Sequence, residues 1–134
     1  MTPSARRILA VLECRRSDQA VLDRSLALAA DSGGYLTLVA VVPRPFLVLW
    51  SGPYYTPRVS QEELREQAAQ TLAWAAALVP ADVPLITATD HGRVGGVIAR
   101  RVAVAAHDLV VVRRCFALPA RARHLPAPVL AVAT

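Results

Sequence analysis

Two short segments hold most of the chemically capable side chains: Glu13-Cys14-Arg15 and, far along the chain, Arg113-Arg114-Cys115. Each directly follows an apolar run of strand character, Ile8 to Leu12 in one case and Leu109 to Val112 in the other. In an open parallel sheet, ligands bind beyond the carboxyl ends of the strands, where the direction of winding reverses. With five strands that point lies beside the first strand, and if the fourth is its neighbour the two segments bracket one crevice. Three chemistries are open there. Glu13 can make a plain ion pair with an arginine across the strand ends, with the cysteines as small buried residues. Arg113 and Arg114 can instead grip a phosphate or carboxylate bidentately. Cys14 and Cys115 can form a redox pair, since adjacent strand ends lie about 5 Å apart.

Other catalytic signatures are missing. The sequence has no Walker loop, no nucleophile elbow, no CxxC and no HExxH. His91, His107 and His124 fall near the ends of expected elements or in loops, where histidine commonly serves as a surface or capping residue. Gly92 and Gly95-Gly96 make a glycine-bearing turn, but a tight strand-to-helix turn needs glycine for its own geometry, so the phosphate signal is weak.

The elements that must position these residues follow from periodicity. Ile8 to Leu12 is short, unbroken and apolar, as a strand covered on both faces must be. Ser17 and Asp18 supply an N-cap, and Val21, Leu22, Leu26 and Ala29 recur at helical spacing until Gly33-Gly34. Tyr35 to Val42 is a β-branched second strand stopped by Pro43. Ser60 and Glu63 form a capping box, and Leu64, Ala68, Leu72, Ala75 and Val79 continue a long second helix ending before Pro80. A third strand covers Leu85 to Thr89, with Asp90-His91-Gly92 as the turn after it, and Val94, Val97, Ile98, Val102 and Ala105 mark a third helix with Arg93, Arg100 and Arg101 on its wetter side. Leu109 to Val112 and Val129 to Val132 are the last strands, with only a short or absent helix between them because Pro119 interrupts. Alternating strands and helices predict an α/β fold, a single-domain open five-stranded parallel sheet with helices on both faces.

Composition agrees with one such domain over residues 1–134: the hydrophobic content is 54% and only 19% of residues are charged, which leaves no basis for disorder. The net charge of +5 comes entirely from arginine, with no lysine in the chain, and the arginines are scattered as short pairs. Nucleic-acid binders gather their charge in a stripe with stacking aromatics, so none is expected as a partner. Neither a secretory leader nor a run long enough to span a membrane is readable, and a cytoplasmic protein is expected. Two distant cysteines indicate neither a disulfide framework nor a metal site. The long connection between the second strand and second helix carries an apolar stretch with Phe46, Trp50, Tyr54 and Tyr55. The Phe46 to Tyr55 loop either folds over the second helix or meets a partner, and in both cases Trp50 is expected to be largely buried.

Along nearly its whole length the chain resembles the universal stress protein family. The residues that carry the resemblance are Arg7-Ile-Leu-Ala-Val-Leu-Glu13, Ser17-Asp-Gln-Ala20, Gly33 to Val42, Asp90-His-Gly92, Ala106 to Val112 and Leu125 to Val132. The resemblance implies a homodimer and, for many members, an ATP site. That site uses an acidic residue ending strand one, backbone at the end of strand two and a glycine-rich loop after strand four of the form G-x2-G-x9-G-S/T. Glu13 matches the acidic position by type but is one methylene longer than the usual aspartate, and Val41 and Val42 match through backbone alone. The glycine loop does not match: Arg113-Arg114-Cys115-Phe116 follows Val112, and no glycine occurs from Arg113 to Thr134. Without glycine the backbone cannot approach a triphosphate closely or form a phosphate nest.

The expectation is therefore a non-enzymatic, dimeric binding or regulatory module with a degenerate ATP site and no obligatory cofactor. A sensor that takes a nucleotide or anionic small molecule is the alternative. The candidate crevice comprises Leu12, Glu13, Val42, Gly92, Arg113 and Arg114. The homodimer is expected to form through Val129 to Ala133, an uncharged apolar strand at a sheet edge.

Overall fold

The computed structural model describes residues 6–42, 61–114 and 127–132. Eight elements follow in chain order: β1 (Arg7–Leu12), α1 (Asp18–Ser32), β2 (Tyr35–Val42), α2 (Gln61–Leu78), β3 (Leu85–His91), α3 (Val94–Val104), β4 (Leu109–Arg113) and β5 (Val129–Val132). The strands form one sheet in the order β3-β2-β1-β4-β5, and every neighbouring pair is parallel. This is the expected open α/β sheet.

Alternation along each strand divides the core between the two faces of the sheet. Ile8, Ala10, Leu12, Leu36, Leu38 and Val111 pack with Val21, Leu22, Ala29 and Ala75 of α1 and α2. On the other face Leu9, Val11, Val39, Val41, Val110 and Val112 pack with Val97, Ile98 and Val102 of α3. β1 is buried on both sides from Ile8 to Leu12, which accounts for its unbroken apolar sequence. Each such Leu, Ile or Val contributes about 1.5–3 kcal/mol by leaving water.

Gly33 ends α1 in the left-handed region at φ 65°, with its amide donating to the Ala29 carbonyl. Gly34 follows for a different reason: a Cβ there would lie 2.1 Å from the Arg6 carbonyl oxygen, so only glycine lets the chain pass into β2 beside β1. Two local expectations are corrected. Ser17 occupies the N-cap position of α1 but makes no side-chain capping hydrogen bond, because its backbone is already helical at φ −61°, ψ −18°. Asp90 and His91 belong to β3, paired with Val41 and Val42, so the turn begins two residues later, at Gly92.

Among the described residues no helix is long and apolar enough to cross a membrane. The Phe46 to Tyr55 loop with Trp50, the Ser60 half of the capping box, Cys115, the chain between Cys115 and Pro126, and Ala133 lie outside the described residues.

Candidate functional site

The sheet order puts β1 between β2 and β4, so the winding reverses between β1 and β4. Register pairs β1 with β4 as far as Ala10 and Val111, and the strands end at Leu12 and Arg113. Glu13, the first residue beyond β1, meets Arg113, the last of β4. Arg113 Nε donates to Glu13 Oε2 at 2.9 Å and Nη2 to Oε1 at 3.4 Å. The two side chains keep 26% and 15% of their exposure, enough shielding for a charge-assisted fork to be stronger than a surface pair.

The backbone that aims Glu13 is held by Asp18. This buried carboxylate accepts from the Glu13 amide at 2.9 Å through Oδ1 and from the Arg15 amide at 3.2 Å through Oδ2. The Asp18 amide in turn donates to the Arg15 carbonyl at 3.0 Å. The tight loop this closes puts Cys14 at φ 59°, the one non-glycine residue with positive φ among those described. Burial pushes the Asp18 carboxyl above the usual aspartate value, opposed by the amides that donate to it. Asp18 is a site-shaping residue that sequence reasoning took for a cap. Its acceptor role points backwards along the chain, and the Ser-Asp pair at a helix start does not disclose that direction.

The candidate residues do not all converge. Leu12 has its side chain fully buried in the core and can offer backbone alone. At the end of β2, the Val42 carbonyl accepts from the Gly92 amide at 3.0 Å, so these two residues are joined to each other. Gly92 sits at φ 121°, a conformation that favours glycine. Arg114 is exposed, and its amide donates to the Val132 carbonyl at 3.0 Å, which anchors β5; its guanidinium has no partner among the described residues. Cys14 does not face β4. Its side chain packs, with Leu64 and Leu72, against the cluster of Ala40, Val42 and Ala68, on the α2 side of the sheet.

A charged cluster that sequence reasoning divided between a turn and a helix surface lies at the end of β3. Arg100 and Arg101 approach Asp90 at 3.1 and 3.5 Å, and Arg100 also donates to the His91 carbonyl. These contacts clip α3 to the strand it follows. The i, i+1 pair of arginines ten residues after an aspartate was visible, but only the pairing register places them together. Among the described residues no group of three His, Cys, Asp or Glu side chains is arranged to hold a metal.

An open parallel sheet with its reversal at β1 and β4 defines a Rossmann-like α/β fold. The chain belongs to the universal stress protein family, whose sequence profile matches residues 4–114. Among solved structures it is similar to a universal stress family protein from Burkholderia pseudomallei, at 25% identity over 94% of each chain and a TM-score of 0.77. It also shares its fold with a universal stress protein in complex with cAMP, at 19% identity over 95% of this chain and 96% of that one, TM-score 0.68. A family member from Arabidopsis thaliana with AMP bound aligns at 13% identity over 96% of this chain and 91% of that one, TM-score 0.61. No curated protein matches the chain.

Proposed function

We propose that this universal stress protein is a cytoplasmic, non-catalytic, dimeric binding or regulatory module whose nucleotide crevice is degenerate. The observation that carries the reading is the Arg113–Glu13 fork. Family members related by fold hold cAMP or AMP. In this chain the acidic residue at the lip of β1 is engaged by a guanidinium from β4, where the family pattern has glycine. A nucleotide entering there must displace a shielded ion pair and then finds no glycine backbone to cradle its phosphates, since none occurs after Gly96. The dimer would use the open edge of β5, the terminal strand of the sheet.

One observation favours a second reading, that of a sensor. Arg114 is exposed beside Arg113 with no partner among the described residues. An anion recruited by Arg114 could take the Arg113 guanidinium from Glu13 and so release the lip of β1. Calorimetric titration with ATP, AMP and cAMP, with each nucleotide's hydrolysis products assayed, tests both. The first reading expects no saturable micromolar binding and no turnover. Micromolar binding abolished by Arg114→Ala would support the sensor instead, and hydrolysis of any of the three nucleotides would overturn both.

A further inference from the structure

Trp74 lies on α2 with 39% of its surface exposed, away from the stripe of Ala68, Leu72 and Ala75 that packs on the sheet. Trp74 borders an open surface groove of about 660 Å3 between α2 and the β1–α1 loop. Gln67, Gln70 and Thr71 share that wall, at helical spacings that place them on one face with Trp74. Cys14, Arg15, Arg16, Asp18 and Gln19 form the opposite wall. The volume lies in the range of about 300–1,000 Å3 typical of small-molecule sites.

The polar groups of this groove divide into two sets. Asp18 is turned to the amides of Glu13 and Arg15, and Gln19 donates to Asp23 at 2.9 Å, so both are engaged. The side chains of Arg15, Arg16, Gln67, Gln70 and Thr71 have no hydrogen-bond or ion-pair partner among the described residues. The free charge of the lining is therefore positive, the free neutral groups are amides and a hydroxyl, and the one large apolar surface is the Trp74 indole, with the small Cys14 side chain opposite it. The Asp18 clasp fixes the loop that carries Cys14 and Arg15, so this wall is formed before any ligand arrives.

We propose that this groove is a second binding site, distinct from the Glu13–Arg113 crevice, for a small planar aromatic carboxylate. The ring lies against Trp74 over the Cys14 side, the carboxylate is neutralised by Arg15 and Arg16, and Gln67, Gln70 and Thr71 hydrogen-bond its edge. An aromatic ring without charge leaves the arginines unanswered, and an anion without a ring leaves the indole in water, so both features are needed.

The probe is 2-naphthoate, titrated into the intact protein and followed by 15N–1H correlation spectra. Indole fluorescence in a Trp50→Phe background gives a second readout. Neutral 2-naphthalenemethanol and cyclohexanecarboxylate are the comparison arms. Saturable sub-millimolar binding is expected, with shifts at Arg15, Gln67, Thr71 and the Trp74 indole. The two comparison compounds, the Arg15→Ala/Arg16→Ala variant and the Trp74→Leu variant should each bind about tenfold more weakly, with Trp74→Phe recovering part of the loss. Arg113→Ala should leave the affinity unchanged. Absence of saturable shifts at millimolar probe overturns the proposal. So does unaltered affinity in the arginine and tryptophan variants, or a binding response centred on Arg113.

Discussion

Arg113 and Glu13, 100 residues apart in the chain, meet through a two-pronged ion pair that joins the end of β4 to the end of β1. Both are mostly shielded, so removing Arg113 leaves the Glu13 carboxylate without its charge-assisted fork. Arg113→Ala is expected to cost about 1–2 kcal/mol and Glu13→Gln about 1 kcal/mol in unfolding free energy. A double-mutant cycle by urea denaturation should return a coupling of about 1 kcal/mol. Fully additive losses would show that the fork contributes nothing to the closed lip.

The turn into β2 supplies a contrast between adjacent glycines. Gly33 has a left-handed φ but open space around its missing Cβ, so Gly33→Ala should cost only about 1 kcal/mol. At Gly34 a Cβ meets the Arg6 backbone, with its oxygen at 2.1 Å, and neither strand can retreat without breaking the β1–β2 pairing. Gly34→Ala should cost more than about 3 kcal/mol, read as a fall in urea midpoint. Equal costs at the two positions would contradict the close approach.

Asp18 predicts a particular pH dependence. Its carboxyl in the fold is raised above the ordinary value of 3.8, chiefly by burial, so the folded state holds the proton more tightly than the unfolded state. The stability contributed by this group is fully present below 3.8 and is lost as pH rises through the folded value. Relative to Asp18→Asn, the wild type should therefore gain stability as pH is lowered through this window. Urea unfolding at a series of pH values measures the difference; a wild type that gains with rising pH would mean that the amide contacts outweigh burial.

Much of this architecture is legible in the chain. Unbroken apolar runs such as Ile8 to Leu12 mark strands covered on both faces, and Gly33-Gly34 marks the end of α1, because burial and φ each constrain a few residues locally. The opposition of Glu13 and Arg113 was legible too, since it follows from the strand ends once β4 is next to β1. What did not show is side-chain direction in the β1–α1 loop. For Cys14 the sequence allows either a small buried residue or a redox partner of Cys115; its side chain turns toward α2, on a backbone that the Asp18 clasp holds at positive φ. The extension of β3 to His91 escaped notice because Asp90 and His91 have turn-like polarity. Their place in the strand is set by pairing with Val41 and Val42 and by the arginines of α3.

The edge of β5 can be tested with substitutions that spare the fold. The Pro128 and Val132 carbonyls accept from Val110 and Arg114 of the β4 side, so by alternation the backbone groups of Val129 and Ala131 face away from β4, where no strand pairs with β5 among the described residues. Ala131→Pro removes an amide that β4 does not use, and Leu130→Arg sets like charges against each other across a two-fold axis. Sedimentation equilibrium should give a dimer for the wild type and monomers for both variants. A wild-type monomer at high concentration, or a dimer that survives both changes, would remove β5 from the account.

The most direct test of the closed crevice follows the Arg113 Nε–Hε resonance by heteronuclear NMR while ATP is added. The ion pair with Glu13 should hold this signal in slow solvent exchange, and it should stay in place up to millimolar ATP while Glu13→Gln alone shifts it. An Arg113 signal that moves saturably at micromolar ATP would show the guanidinium passing from Glu13 to phosphate, and the crevice would then be a working nucleotide site.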